Sequence, residues 1–134
     1  MAVELSKGAI DLGIVTAQPE AMVAFYRDLL GFVEEPSTPF PMGGTMHRLQ
    51  CGDSLIKIVA PDPAPEQAPP PGPIARATGY RYWTMRVSNL VEVMAQCENA
   101  GVEVVVPVTE VRPGVTIGMV TDPDGNWVEF VDYA

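Results

Sequence analysis

Apolar and polar residues alternate along several stretches of this chain and recur at helical spacing along two others, in the same order in each half. Residues 9–17 (AIDLGIVTA) place Ile10, Leu12 and Ile14 on one face of a predicted strand. Pro19 and Glu20 then open a helix carrying Met22, Phe25, Tyr26, Leu29 and Leu30 on its core face, and Gly31 ends it as a left-handed cap. A short strand is expected at 32–35, and a hairpin over 45–51 and 54–60 turns at Gly52-Asp53. The second half repeats the order. Residues 80–87 form a strand, and Ser88 or Asn89 caps a helix through Leu90, Val91, Met94 and Cys97 to Gly101. A strand follows at 102–106, then a hairpin over 115–121 and 126–131 around Asp122-Pro123-Asp124-Gly125.

The repeat is metrical as well as qualitative. Leu30-Gly31 answers Ala100-Gly101 at an offset of 70, and Gly52-Asp53 answers Asp124-Gly125 at 72. Each βαβββ unit is too small to bury its own sheet face, so two are expected side by side in one curved mixed sheet of an α+β protein. Helices cover the convex side, leaving a concave ligand cavity. Seven of the fourteen prolines fall within 61–73 (PDPAPEQAPPPGP), where fixed φ and missing donors exclude helix and central strand. The chain is thus expected to be one domain over 1–134: a first module at 9–60, a stiff proline-rich linker at 61–78 and a second module at 79–133.

Composition narrows the chemistry. With 134 residues, 47% apolar, the chain can bury a core, so it is no disordered acidic tail. A formal net charge of −9, with only eight Lys plus Arg, argues against nucleic acid as a partner. No apolar run approaches the roughly 20 residues that span a bilayer, and residues 1–7 lack a secretory signal, so no membrane partner and a cytoplasmic location are expected. The single histidine excludes a site built on several imidazoles from one chain, and two cysteines cannot build a disulfide framework or a four-thiolate zinc site.

Two motifs carry a family resemblance. Residues 22–32 (MVAFYRDLLGF) and 122–130 (DPDGNWVEF) resemble the first-helix and last-hairpin signatures of the vicinal oxygen chelate superfamily, which includes glyoxalase I, bleomycin-resistance proteins and extradiol dioxygenases. With the repeat, the resemblance runs from Ile10 to Val131 and implies a glyoxalase-like fold. Enzymes of the family hold a divalent metal with four inward side chains, usually His, Glu or Gln. Carried over, those positions are Asp11, Lys57, Tyr82 and Glu129 here, and only Glu129 keeps the usual residue. An ammonium repels a cation and a phenol seldom ligates one, so no cofactor is expected; a metal, if any, falls to Asp11 and Glu129. The resemblance also implies a homodimer.

Strand alternation places further residues beside these four. Leu55, Val59, Arg48, Met46 and Gln50 share the face of Lys57; Tyr80, Thr84 and Arg86 share that of Tyr82; Trp127 and Val131 share that of Glu129. Ile10, Leu12, Ile14, Leu49, Ile56 and Ile58 take the helix side, as do Trp83, Met85, Val128 and Phe130. The predicted catalytic set is Glu129, Lys57, Tyr82 and Asp11. The predicted substrate-binding set is Arg48, Met46, Gln50, Tyr80, Thr84, Arg86 and Trp127. A carboxylate and an ammonium suit metal-independent isomerisation, epimerisation or elimination beside a carbonyl, with Glu129 as base, Lys57 as fixed charge and Tyr82 as hydrogen-bond donor. Three other readings stand beside it: a bleomycin-resistance-like protein that sequesters a small molecule; a metal-dependent lyase of the lactoylglutathione lyase type; and a salt-bridge cluster of Lys57, Arg48, Asp11 and Glu129 filling a vestigial site.

Other conspicuous residues have plainer readings. His47 lies on the face opposite Lys57 and is expected to be structural. Cys51 and Cys97 have no neighbouring activator. Turn chemistry accounts for Asp122 and Asp124. Arg112-Pro113-Gly114 is expected on a loop at the cavity mouth.

Overall fold

The structure, a computed structural model, describes residues 1–70 and 72–134. It divides into two compact units, Met1–Gln67 and Ala68–Ala134, each a four-stranded mixed sheet with helix on one face. Among the described residues no helix is long and apolar enough to cross a membrane.

In the first unit, β1 (Leu12–Val15) leads into α1 (Pro19–Val23), which continues as a π-helical segment (Ala24–Leu29). β2 (Val33–Pro39), β3 (Gly44–Cys51) and β4 (Ser54–Pro61) follow. The strand order is β1-β4-β3-β2, with β1 parallel to β4 and the other pairs antiparallel. Met22, Phe25 and Tyr26 are buried with Leu49, Ile56 and Ile58, so the helix covers the predicted apolar face. The wider winding was not legible from an α-helical stripe: the Leu30 N–H donates to the Phe25 carbonyl, five residues back. Gly31, at φ 83°, closes the helix as expected. Gly52, at φ 57°, supplies the positive φ that the two-residue turn between Cys51 and Ser54 needs.

In the second unit, a 3₁₀ turn (Ile74–Arg76) precedes β5 (Tyr82–Arg86), α2 (Leu90–Asn99), β6 (Val104–Arg112), β7 (Val115–Thr121) and β8 (Trp127–Tyr133). The order β5-β8-β7-β6 repeats that of the first unit, again with a parallel first pair. Leu90, Met94 and Cys97 form the buried stripe of α2, packing with Val120, Val128 and Phe130. The side chain of Asp122 accepts from the N–H groups of Asp124 and Asn126 and from the Asn126 amide, so it builds the hairpin turn.

Several expected boundaries move. Ile10 lies outside β1, 85% exposed, and Tyr80 lies outside β5. The strand expected at 32–35 runs to Pro39, and that expected at 102–106 runs as Val104–Arg112. Both are edge strands, which tolerate the missing donors of Pro36 and Pro107, and register shifts in both break the alternation that sequence reasoning relies on. Arg112 is consequently the last residue of β6, paired with Val115 across a tight turn, rather than part of a long loop.

Candidate functional site

Each unit presents one sheet face to its helix and one away from it, and the predicted site residues that lie within strands fall on the faces away from the helices. In the first unit β4 contributes Lys57 and β3 contributes Met46, Arg48 and Gln50, with Asp11 immediately before β1. The register sets Gly13, Lys57, Arg48 and Glu35 in one row across the four strands. Lys57 and Arg48 are half-buried. Among the described residues neither makes an ion pair, and Arg48 donates to the Pro36 carbonyl at 3.5 Å. Asp11 does not pair with Lys57. Its carboxylate accepts from the Lys7 ammonium at 2.7 Å and from the Leu55 N–H at 2.8 Å, and these bonds hold its pKa below the ordinary value. Gln50 donates to the Gly52 carbonyl and tightens the hairpin. His47 sits on the helix side, where the register pairs it with Ile58, and its Nδ1 lies 3.3 Å from the Ser37 hydroxyl.

In the second unit, Tyr82, Thr84 and Arg86 lie beside Trp127, Glu129 and Val131 in parallel register. Thr84, not Tyr82, is the neighbour of Glu129, and its hydroxyl donates to the half-buried carboxylate at 2.7 Å. Arg86 lies over the Tyr133 ring at 4.1 Å, a cation–π contact. Tyr80 and Tyr82 are exposed. Trp127 is covered from a direction that strand alternation could not show. The chain at Gly72 passes so close to its indole that a side chain there would strike the ring. Arg81 anchors this stretch by donating to the carbonyls of Ile74 and Pro73, each at 3.0 Å, and of Pro70 at 3.4 Å. Part of the proline-rich segment is therefore docked on the second unit. A cleft of about 440 Å³ opens beside it, lined by Pro69, Pro70, Trp127, Val105, Glu103 and Asp124.

The sequence profile of the Glyoxalase/Bleomycin resistance protein/Dioxygenase superfamily matches residues 9–130. The chain belongs to this superfamily. Solved structures of the glyoxalase fold superpose along nearly its whole length. The glyoxalase family protein from Enterococcus faecalis is 25% identical, covering 96% of both chains with a TM-score of 0.66. TnmS3, an antibiotic binding protein from Streptomyces, is 18% identical, covering 98% of this chain and 100% of its own, at 0.70. Lactoylglutathione lyase from Agrobacterium tumefaciens is 20% identical, covering 93% and 92%, at 0.67. Among curated proteins none matches in sequence.

The four positions to which the family resemblance assigns metal ligands carry a donor set unlike that of a divalent-ion site. They hold two carboxylates, one phenol and one ammonium, and the Asp11 carboxylate is already engaged by Lys7 and Leu55. Among the described residues, no three His, Cys, Asp or Glu side chains gather as ligands would. Within the first unit Asp11 pairs with Lys7, and among the described residues no ion pair joins Lys57 or Arg48 to a carboxylate, so the part of the expected salt-bridge cluster that lies in this unit does not form. Strand alternation sets Gly13 on the face of Asp11 without giving it a role, and it gives Arg81 none. Arg81 lies on the opposite face of the alternation, and a strand glycine offers no side chain to read.

Proposed function

We propose that this superfamily member is a small-molecule enzyme working without a metal, by acid–base chemistry beside a carbonyl group. The observation that carries the reading is the Glu129 carboxylate, half-buried on the face away from α2 and held by the Thr84 hydroxyl at 2.7 Å. A carboxylate so oriented can take a proton from a carbon next to a carbonyl and return it. Lys57, which joins no ion pair among the described residues, is the residue of the first unit suited to act as a fixed positive charge. Tyr82 donates a hydrogen bond and Thr84 orients the base. Asp11 sets the position of the β1 end rather than reacting, because both its bonds are structural. Met46, Arg48, Gln50, Tyr80, Arg86 and Trp127 contact the substrate in this reading, and the protein acts as a cytoplasmic homodimer.

The test is hydrogen exchange into small 2-oxo and 3-oxo acids in deuterium oxide, followed by proton NMR. Wild type accelerates loss of the signal of the proton beside the carbonyl. Glu129→Gln, which keeps a group able to accept from Thr84, lowers the rate at least 100-fold. Exchange that survives in both Glu129→Gln and Lys57→Ala sinks the reading. A second reading, sequestration of a ligand without chemistry, draws on the exposed Tyr82, the half-buried Trp127 and the similarity to an antibiotic binding protein. It predicts thermal stabilisation by a bound compound that is recovered unchanged.

A further inference from the structure

Gly13 sits in β1 beside Lys57, and nothing in the fold requires a glycine there. Its φ is not positive, and a Cβ built on it meets no atom within 4 Å. Gly31 and Gly52, by contrast, hold positive φ and Gly118 makes room for Met94, while Gly8, equally unconstrained, lies outside the strands. Glycine in a strand interior costs stability and marks places where a ligand approaches the backbone closely. The space over Gly13 is open, and its neighbours along the row are two cations. Lys57 is its partner in β4 and Arg48 is the partner of Lys57 in β3.

Like charges directly opposite one another in a sheet repel, and among the described residues no ion pair neutralises this one, although the Lys57 charge helps to lower the Asp11 pKa. Asp11 is occupied by Lys7 and the Leu55 N–H. Glu35, next in the row beyond Arg48, makes no ion pair with it. Two half-buried cations beside an open notch are arranged for an oxyanion, with the guanidinium fork and the ammonium as charged donors.

We infer that the first unit binds an oxyanionic group, a carboxylate or a phosphate, over Gly13 and against Lys57 and Arg48. This rests on the proposed ligand-binding role of the face away from the helix, and it narrows the substrate of that reading to an anion. Lys57 then serves twice, as electrostatic partner of the substrate oxygens and as anchor.

The full-length protein is titrated with malonate and, separately, with inorganic phosphate at low ionic strength, followed by amide shifts in NMR. Saturable shifts at residues around Gly13 and Lys57 are expected, and the tighter of the two probes assigns the anion as carboxylate or phosphate. Gly13→Val fills the notch while keeping every charge; it weakens binding at least 10-fold with melting temperature unchanged or raised. Lys57→Gln and Arg48→Gln weaken it at least 10-fold, and Arg112→Gln, an exposed cation on β6, leaves it unchanged. The inference fails if neither anion saturates, or if Arg112→Gln weakens binding as much as Lys57→Gln. Should Gly13→Val fail to fold, Lys57→Gln and Arg48→Gln decide alone. Glu129→Gln separates the two readings: lost exchange with intact anion binding supports both. Lost exchange with anion binding indifferent to Lys57 overturns only the anion site. Intact exchange with Lys57-dependent anion binding overturns only the acid–base role of Glu129.

Discussion

The Asp11 carboxylate accepts bonds from the Lys7 ammonium and the Leu55 N–H, and its pKa is lowered from 3.8, first by Lys7 and then by Leu55. A depressed folded-state pKa stabilises the fold above the unfolded value and loses that contribution as pH falls through the folded one. Asp11→Asn should therefore melt below wild type at pH 7, with the gap closing as pH drops below about 4. Melting curves from pH 7 to pH 2.5 check this; a gap that widens toward low pH would overturn it. At the same scale, burial raises the pKa of both Cys51 and Cys97, in keeping with thiols that do no chemistry. A carboxylate at position 11 was visible in the sequence. Its partners were not, because Leu55 is 44 residues away and an ion pair with Lys7 depends on how the chain enters β1.

At the scale of elements, Met94 of α2 and Gly118 of β7 make a close fit between helix and sheet. A Cβ on Gly118 would lie 2.6 Å from the Met94 sulfur, so β7 carries glycine where the helix comes nearest. Gly118→Ala should cost about 1–3 kcal/mol by overpacking. Met94→Ala should cost about 2–5 kcal/mol by leaving a cavity. The double variant should lose less than the sum, since the added methyl occupies part of the space vacated. Denaturant midpoints of the three proteins measure this; strict additivity would contradict the contact. Both helices, the two hairpins and the inner and outer faces of their strands follow from periods of 3.6 and 2 in the sequence. The edge strands β2 and β6 were underread, because prolines and register shifts interrupt the period there. The π-helical winding of residues 24–29 was invisible for a related reason: it leaves the buried stripe almost where an α-helix would put it.

Across the whole molecule, a formal charge of −9 coexists with a cationic row on the first unit. The composition sets the isoelectric point near pH 4.4, so turbidity at fixed concentration should peak there and clear on either side. A peak displaced well above pH 5 would mean that many carboxylates are held protonated in the fold. The sequence by itself pointed to the superfamily through the resemblance of residues 22–32 and 122–130, and it determined the doubled βαβββ order and the side of the sheet on which residues of the inner strands fall, because local periodicity and turn chemistry encode the last two within a few residues. Only the tertiary structure decided who stands beside whom. The parallel pairing of β1 with β4 and of β5 with β8 joins strands about 45 residues apart, and such registers are set by packing of helix against sheet rather than by local pattern. That register puts Thr84 rather than Tyr82 against Glu129 and leaves the bare backbone of Gly13 next to Lys57.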